Sequence, residues 1–277
     1  METSSSAAPF LIPGAEQWSF LSSKAKDYRI MVWTPDIPEP AAGFPVVYML
    51  DANAAFGSMV EAVRLLSRGP YKIEPAIIVG IGYETDEPLD TERRFYDFTI
   101  HADPEELPPR KDTSPWPETG GADEFLEFIE QELKPVIEHL HPVDRSRQTL
   151  FGHSLGGWFV MYVFFKRPQA FSVYAAGSPS IWWKNNYILS LAELLTPAMP
   201  ESVAITAVIE RLKTKVYIGV GSLEKPHMVE GARRMFELLS AAAVPGLHLK
   251  HCCLQEEDHL SVIQPLLGRI LRYALTN

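Results

Sequence analysis

The stretch Leu150-Phe151-Gly152-His153-Ser154-Leu155-Gly156-Gly157 constrains this chain more than any other. It sets a short β-prone run, 148–151, against an unbroken apolar run, 158–165, with a Gly-X-Ser-X-Gly turn between them. Lys166, Arg167 and Pro168 close the second run, and basic residues followed by proline are a helix-stop signal. A strand therefore passes into a helix through a sharp turn centred on Ser154. Such a turn projects a serine hydroxyl clear of the backbone, and side chains at Gly152 and Gly156 are expected to crowd it. The chemistry this predicts is nucleophilic attack by Ser154. The competing reading is a glycine-rich strand-to-helix junction with an incidental serine.

The rest of the chain supplies a matching scaffold. Apolar, β-branched runs at 28–33, 45–50, 76–81, 149–151, 173–176, 216–220 and 247–254 alternate with helical patterns. That alternation predicts an α/β fold: a mostly parallel sheet with helices on both faces. Runs 18–21 and 28–33, parted by the polar stretch 22–27, predict an antiparallel hairpin at the sheet edge. Between 123 and 138, Phe125, Phe128, Ile129, Leu133, Val136 and Ile137 fall on one helix face, which Pro135 is expected to kink late. At 277 residues and 46% hydrophobic content, one domain spanning 1–277 can bury a full core. Three segments break the pattern. Residues 1–8 read as a loose tail, 101–121 as a Pro- and acid-rich surface excursion near the site, and 181–213 as an inserted lid ahead of strand 216–220.

A net charge of −10 opposes nucleic acid or an anionic membrane as a main partner, because both attract broad positive fields. An anionic small molecule would need a local basic pocket. The sequence shows no secretory leader and no run long enough to span a bilayer, so a cytoplasmic location is expected. The only cysteines, Cys252 and Cys253, are neighbours on a predicted strand and should point to opposite faces, which disfavours a disulfide.

A serine hydroxyl is a weak nucleophile until a base takes its proton, so Ser154 implies a histidine. In hydrolases built on such a sheet the order along the chain is nucleophile, acid, histidine. His259 fits, since it follows the last predicted strand and precedes an apolar C-terminal helix; a solvated loop histidine is the plainer reading. The acid belongs after strand 216–220, where Glu224 is the candidate. Its alternatives are a surface carboxylate paired with Lys225, with Asp258 or no acid assisting His259. Two backbone donors are expected for a tetrahedral oxyanion: the amide of Leu155, and one from the loop after strand 45–50, at Ala52 or Asn53. The side chain of Asn53 equally suits an Asx-turn.

Together these residues resemble the siderophore-esterase branch of the putative esterase family of α/β-hydrolases, whose members cleave ester bonds of iron chelators such as enterobactin, salmochelin and bacillibactin. Beyond the elbow, the resemblance lies in Tyr48-Met49-Leu50-Asp51-Ala52-Asn53, Ile78-Val79-Gly80-Ile81-Gly82-Tyr83, Arg93-Arg94-Phe95-Tyr96-Asp97-Phe98-Thr99 and Ser178-Pro179-Ser180-Ile181-Trp182-Trp183. It implies an α/β-hydrolase fold, a serine esterase with Ser154 as nucleophile and His259 as base, and a siderophore substrate, with or without its iron; some members work with a Ser-His dyad. The second oxyanion donor departs from the pattern, with Ala52 where relatives often have glycine.

A ferric catecholate is strongly anionic, so cations near the serine are expected: Arg94 with Arg93 first, and Arg110, Lys111 and Lys184 in support. The alternative for Arg94 is an ion pair with Asp97 or Glu92. Trp182 and Trp183 suit either stacking on a substrate or core packing. No cofactor and no resident metal are expected, since no cluster of His, Cys and carboxylate has ligand spacing; iron would arrive with the substrate. A general carboxylesterase, an S-formylglutathione hydrolase-like enzyme and a non-catalytic ligand-binding homologue are the rival readings.

Overall fold

A computed structural model describes residues 10–110, 114–195 and 202–276. Eight strands form one sheet in the order β1-β2-β4-β3-β5-β6-β7-β8. They are β1 (Ala15–Leu21), β2 (Asp27–Trp33), β3 (Phe44–Leu50), β4 (Ile77–Gly82), β5 (Val143–His153), β6 (Val173–Gly177), β7 (Lys215–Gly221) and β8 (His248–Leu254). β1 and β2 make the expected antiparallel edge hairpin, and β2 also runs antiparallel to β4. Every other pairing is parallel.

The period of two along each central strand feeds two cores, one on each face. In β3, Val46, Tyr48 and Leu50 join the cluster beneath α5 (Leu155–Lys166), while Val47 and Met49 face α1 (Ala52–Leu66) and α9 (Ile263–Leu275). Leu155 through Phe165 are all buried, which is why α5 is apolar on every side: it is the central helix of its layer. Cys252 and Cys253, both unpaired, pack against opposite clusters, as neighbours on a strand must.

The helix expected over 123–138 is more irregular than its apolar stripe suggests. It comprises α3 (Ala122–Glu127), a π-helical stretch at Phe128–Leu133 and α4 (Lys134–Leu140). Proline has no N–H to donate, and here the departure from α geometry precedes Pro135 as a widened turn. The remaining α-helices are α2 (Thr91–Phe98), α6 (Trp183–Glu193), α7 (Ser202–Leu212) and α8 (Pro226–Ala242), with a 3-10 turn at Pro104–Glu106. The predicted lid thus contains α6 and α7, while the tail 1–8 lies outside the described residues.

The carboxyl ends of β3, β5, β6, β7 and β8 open on one side of the sheet. Their following loops carry Asp51, Ser154, Ser178, Glu224 and His259 respectively. Crevices outside strand carboxyl ends are where open α/β sheets place their ligand sites.

Candidate active site

Ser154 occupies a backbone conformation, φ 61° and ψ −117°, that an L-residue tolerates only when its surroundings impose it. Its N–H donates to the Gly177 carbonyl at 2.9 Å, and its own carbonyl accepts from Trp158 and Ser180 N–H, both at 3.0 Å. The glycines around it have distinct duties. A Cβ on Gly152 would lie 2.4 Å from the Gly156 carbonyl oxygen, as expected. One on Gly156 would meet nothing nearer than Asp51 Oδ2 at 3.5 Å. The crowding expected at Gly156 falls instead on Gly157, where a Cβ would come within 2.6 Å of the Gly177 oxygen and 3.0 Å of Pro179 Cα. The helix packs against the β6 loop there, a contact the motif does not encode.

His259 Nε2 lies 3.0 Å from Ser154 Oγ, and His259 Nδ1 lies 2.6 Å from Glu224 Oε2. A carboxylate can only accept, so the tautomer that suits this geometry carries its proton on Nδ1 and leaves Nε2 to accept the serine proton. The Glu224 side chain is fully enclosed, and its other oxygen accepts from Ser178 Oγ at 2.5 Å and Gly221 N–H at 2.8 Å. Burial pushes its pKa up, but the hydrogen bonds from His259, Ser178 and Gly221 outweigh burial and hold it below the ordinary value. The carboxylate is therefore ionised opposite the imidazole.

The alternative acid is occupied elsewhere. Asp258 Oδ1 accepts from Leu260 and Ser261 N–H at 2.8 and 2.9 Å, ordering the turn after the histidine. The acid and histidine loops are stitched together by Ser222 N–H to the Leu254 carbonyl and Leu223 N–H to the Glu257 carbonyl. Gly221 permits this, since a Cβ there would lie 2.3 Å from the Glu257 oxygen. His153 packs against the catalytic-site imidazole with ring centroids 4.7 Å apart, and burial drives its pKa down to about 3, so it is neutral at pH 7.

The N-terminus of α1 converges on the elbow. Leu155 is the first residue of α5, while Ala52 and Asn53 open α1. Amides at these positions have no intrahelical acceptor and are available to a ligand. The side chain of Asn53 makes no Asx-turn: Nδ2 donates to the Tyr83 and Thr85 carbonyls, and Oδ1 accepts from Tyr83 N–H at 2.8 Å. Asp51, the N-cap of α1, sits in the left-handed region with φ 51° and leaves its helix uncapped by its side chain. Its carboxylate is taken by Arg94, which donates from Nε at 3.1 Å and from Nη2 at 2.8 Å.

Arg94 and Arg93, expected at the substrate, are both paired within the fold. Arg94 is buried and closed on Asp51, a partner 43 residues away that local sequence does not suggest. Arg93 donates to the Asp27 carbonyl and to Asp97, and lies over the rings of Tyr28 and Tyr83. Lys184 is likewise engaged: its ammonium donates to the His101 carbonyl at 2.7 Å and pairs with Glu106 at 2.9 Å, tying the excursion to the start of α6. Lys111 lies outside the described residues.

Ser154 and His259 open into a cleft of about 720 Å³. Its walls come from the excursion (Pro108, Pro109, Arg110 and Trp116), from Ser180 and Trp182, and from the loop and helix after β7 (Lys225, His227 and Met228). The Trp pair divides its duties. Trp182 lines the cleft and faces Trp116 with ring centroids 6.0 Å apart; Trp183 is fully buried beneath them. The sequence nominates neither Trp116 nor Ser178 for a role at the site, and Lys225 only as a surface partner of Glu224. Trp116 sits in an aperiodic segment, and nothing local ties it to the serine; Ser178 was visible only as part of a shared stretch.

A mostly parallel sheet with a serine elbow at one strand end and a histidine after the last strand defines an α/β-hydrolase. Within that class, the putative esterase model matches residues 22–244, and the chain belongs to that family, in its siderophore-esterase branch. It is 42% identical over 272 residues to the ferri-bacillibactin esterase BesA of Bacillus subtilis, covering 96% of this chain and 91% of that one. It is 31% identical over 284 residues to a siderophore enterobactin esterase of Emericella nidulans, covering 92% and 93%. The crystal structure of the BES protein from Bacillus cereus superposes with a TM-score of 0.90 at 38% identity, covering 99% and 100%.

Proposed function

We propose that this chain is a serine esterase that hydrolyses the ester bonds of a siderophore, a catecholate trilactone of the kind named for its bacillibactin and enterobactin esterase relatives. The observation that carries the reading is the unbroken hydrogen-bonded line Ser154-His259-Glu224 in a cleft of a chain so similar to a ferri-bacillibactin esterase. Ser154 Oγ attacks an ester carbonyl while His259 Nε2 takes its proton. Glu224 holds the imidazole and stabilises the imidazolium that forms. The amide of Leu155, with that of Ala52 or Asn53, holds the oxyanion. As the C–O bond breaks, His259 returns the proton to the leaving alkoxide. Water, deprotonated by His259, then attacks the acyl-Ser154 carbonyl and frees the carboxylic acid. The first such cycle opens a cyclic trilactone, and later cycles give shorter linear esters with weaker hold on iron.

We place this hydrolysis inside the cell. The two unpaired cysteines suit a reducing compartment, and among the described residues no helix is long and apolar enough to cross a membrane. Cell fractionation tests the location. The activity is tested by incubating ferric and iron-free trilactones and simple acyl esters with the protein and resolving the products chromatographically. Linear trimer, dimer and monomer are expected; turnover of simple esters alone rejects the siderophore reading. Ser154→Ala should lower kcat by about 10⁶-fold, as loss of the nucleophile does in a comparable site, while siderophore binding persists.

A further inference from the structure

With Arg94, Arg93 and Lys184 each committed elsewhere, the cation that faces a substrate has to be found among the residues that line the cleft. Lys225 and Arg110 are the permanent cations there, and Glu224 is the one carboxylate among the lining residues. Arg110 donates to the Pro115 carbonyl at 2.9 Å and lies over the Trp116 ring, which fixes it to the excursion wall. Lys225 differs. It is exposed, it follows the acid Glu224 directly, and among the described residues it has no carboxylate partner. Both oxygens of Glu224 are already taken, by His259 on one side and by Ser178 and Gly221 on the other. That charge is therefore spent on the imidazole. The backbone holds Lys225 in place, since it occupies the N-cap of α8 with Pro226 fixing the first helical position.

An ammonium that lines the same cleft as the nucleophile and has no carboxylate partner among the described residues, in a chain of net charge −10, is a local reversal of the field that the rest of the surface sets up. We propose that Lys225 is the specificity-determining residue that reads substrate charge, favouring anionic, iron-loaded esters over their neutral, iron-free forms. The proposal rests on the siderophore-esterase reading for the identity of the substrate, though not for the sign of the preference. Tris-catecholate iron(III) carries several negative charges, whereas the iron-free catechols are largely protonated near neutral pH. The ligand therefore changes charge while keeping the same ester to be cut. Trp116 and Trp182 offer flat apolar surface to either form and cannot separate them. A cation can, because its attraction scales with ligand charge. His227, two residues further along the same wall, has its pKa lowered by partial burial and by Lys225, and so leaves the lysine as the charged group of that wall.

The test compares the native sequence with Lys225→Met, Lys225→Glu and Lys225→Arg on two substrate pairs. One pair is ferric and iron-free enterobactin; the other is 4-sulfophenyl acetate and phenyl acetate, which differ in charge without any siderophore. Lys225→Met should lower the ratio of kcat/KM for the anionic over the neutral partner by up to about fivefold in each pair, the order expected of an exposed charge contact. Lys225→Glu should lower it further, and Lys225→Arg should restore most of it. The dependence of the anionic substrate's KM on salt should flatten in Lys225→Met. If Lys225→Met changes both members of a pair by the same factor, the charge-reading role is overturned while trilactone hydrolysis by the native sequence still supports the enzyme reading. If the native sequence leaves both trilactones intact yet the aryl ester pair keeps its dependence on Lys225, the siderophore reading fails and the charge preference stands.

Discussion

Two sets of acid–base contacts lie within the same few strand ends, and they are built to opposite effect. In the His259–Glu224 pair the carboxylate is sealed, with none of its side chain exposed, while 38% of the imidazole remains open toward the cleft. In the Arg94–Asp51 pair both ends are closed, at 11% and 8%. A pair open at one end can pass a proton to a third group. A pair closed at both ends can only hold the backbone to which it is attached. Arg94 and Asp51 therefore fasten α2 to the left-handed turn before α1, and through it set where the Ala52 and Asn53 amides point. Both sets read as charged residues near a serine when only the chain is in view; burial separates them.

The sharpest break of this comparison is Glu224→Gln. The site should stay folded, because the amide oxygen still accepts from Ser178 or Gly221, but the imidazole loses its partner of fixed tautomer. A fall in kcat of about 10³–10⁴-fold is expected, by analogy with the same change in a serine-protease triad. A fall under tenfold on steady-state assay would show that Ser154 and His259 suffice as a dyad.

Arg94→Met attacks the closed pair. Leaving Asp51 buried without its partner should cost about 3–5 kcal/mol of stability, read by urea unfolding, and should lower kcat through the displaced α1 amides. Arg94→Lys keeps the charge and loses the two-pronged geometry, so it should fall between the native sequence and Arg94→Met. If Arg94→Met instead raised KM for anionic esters without loss of stability, Arg94 would be a substrate contact after all.

A smaller effect separates the two regions by pH. The pKa of Glu224 is held below its ordinary value, so its contribution to stability is complete above about 4.5 and is lost as pH falls further. Asp97, the partner of Arg93, behaves inversely: burial, only partly offset by Arg93, raises its pKa to about 6 from 3.8. Its contribution is complete below 3.8 and lost as pH rises through about 6. Thermal melts across pH should therefore show Asp97→Asn removing part of the loss of Tm between pH 4 and 7. Glu224→Gln should instead remove part of the loss below pH 4.5. The same change in slope for both variants would contradict the assignment.

The parallel sheet, the edge hairpin, the elbow and the order Ser154, Glu224, His259 were legible because each rests on local pattern or on sequence order. The π-helical stretch was not, because an apolar stripe at Phe125, Phe128, Ile129 and Leu133 reads alike for slightly different turns. Nor was the division between Trp182 and Trp183. Adjacent aromatics have the same composition, and only the left-handed run Lys184, Asn185, Asn186 that follows them, together with Trp116 from another segment, decides which ring meets solvent.

By itself, then, the sequence determined that a serine would stand on a strained strand-to-helix turn, and which histidine and acid follow it in hydrolase order. Glycine spacing and hydrophobic period are properties of neighbours along the chain, and they suffice for that. Which charges answer one another was decided by the tertiary structure alone. Asp51 meets Arg94 across 43 residues, and Lys225, lining the cleft, has no carboxylate partner among the described residues although it adjoins an acid. Coulomb attraction and desolvation depend on distance in space and on burial, and neither is set until the strands are in order.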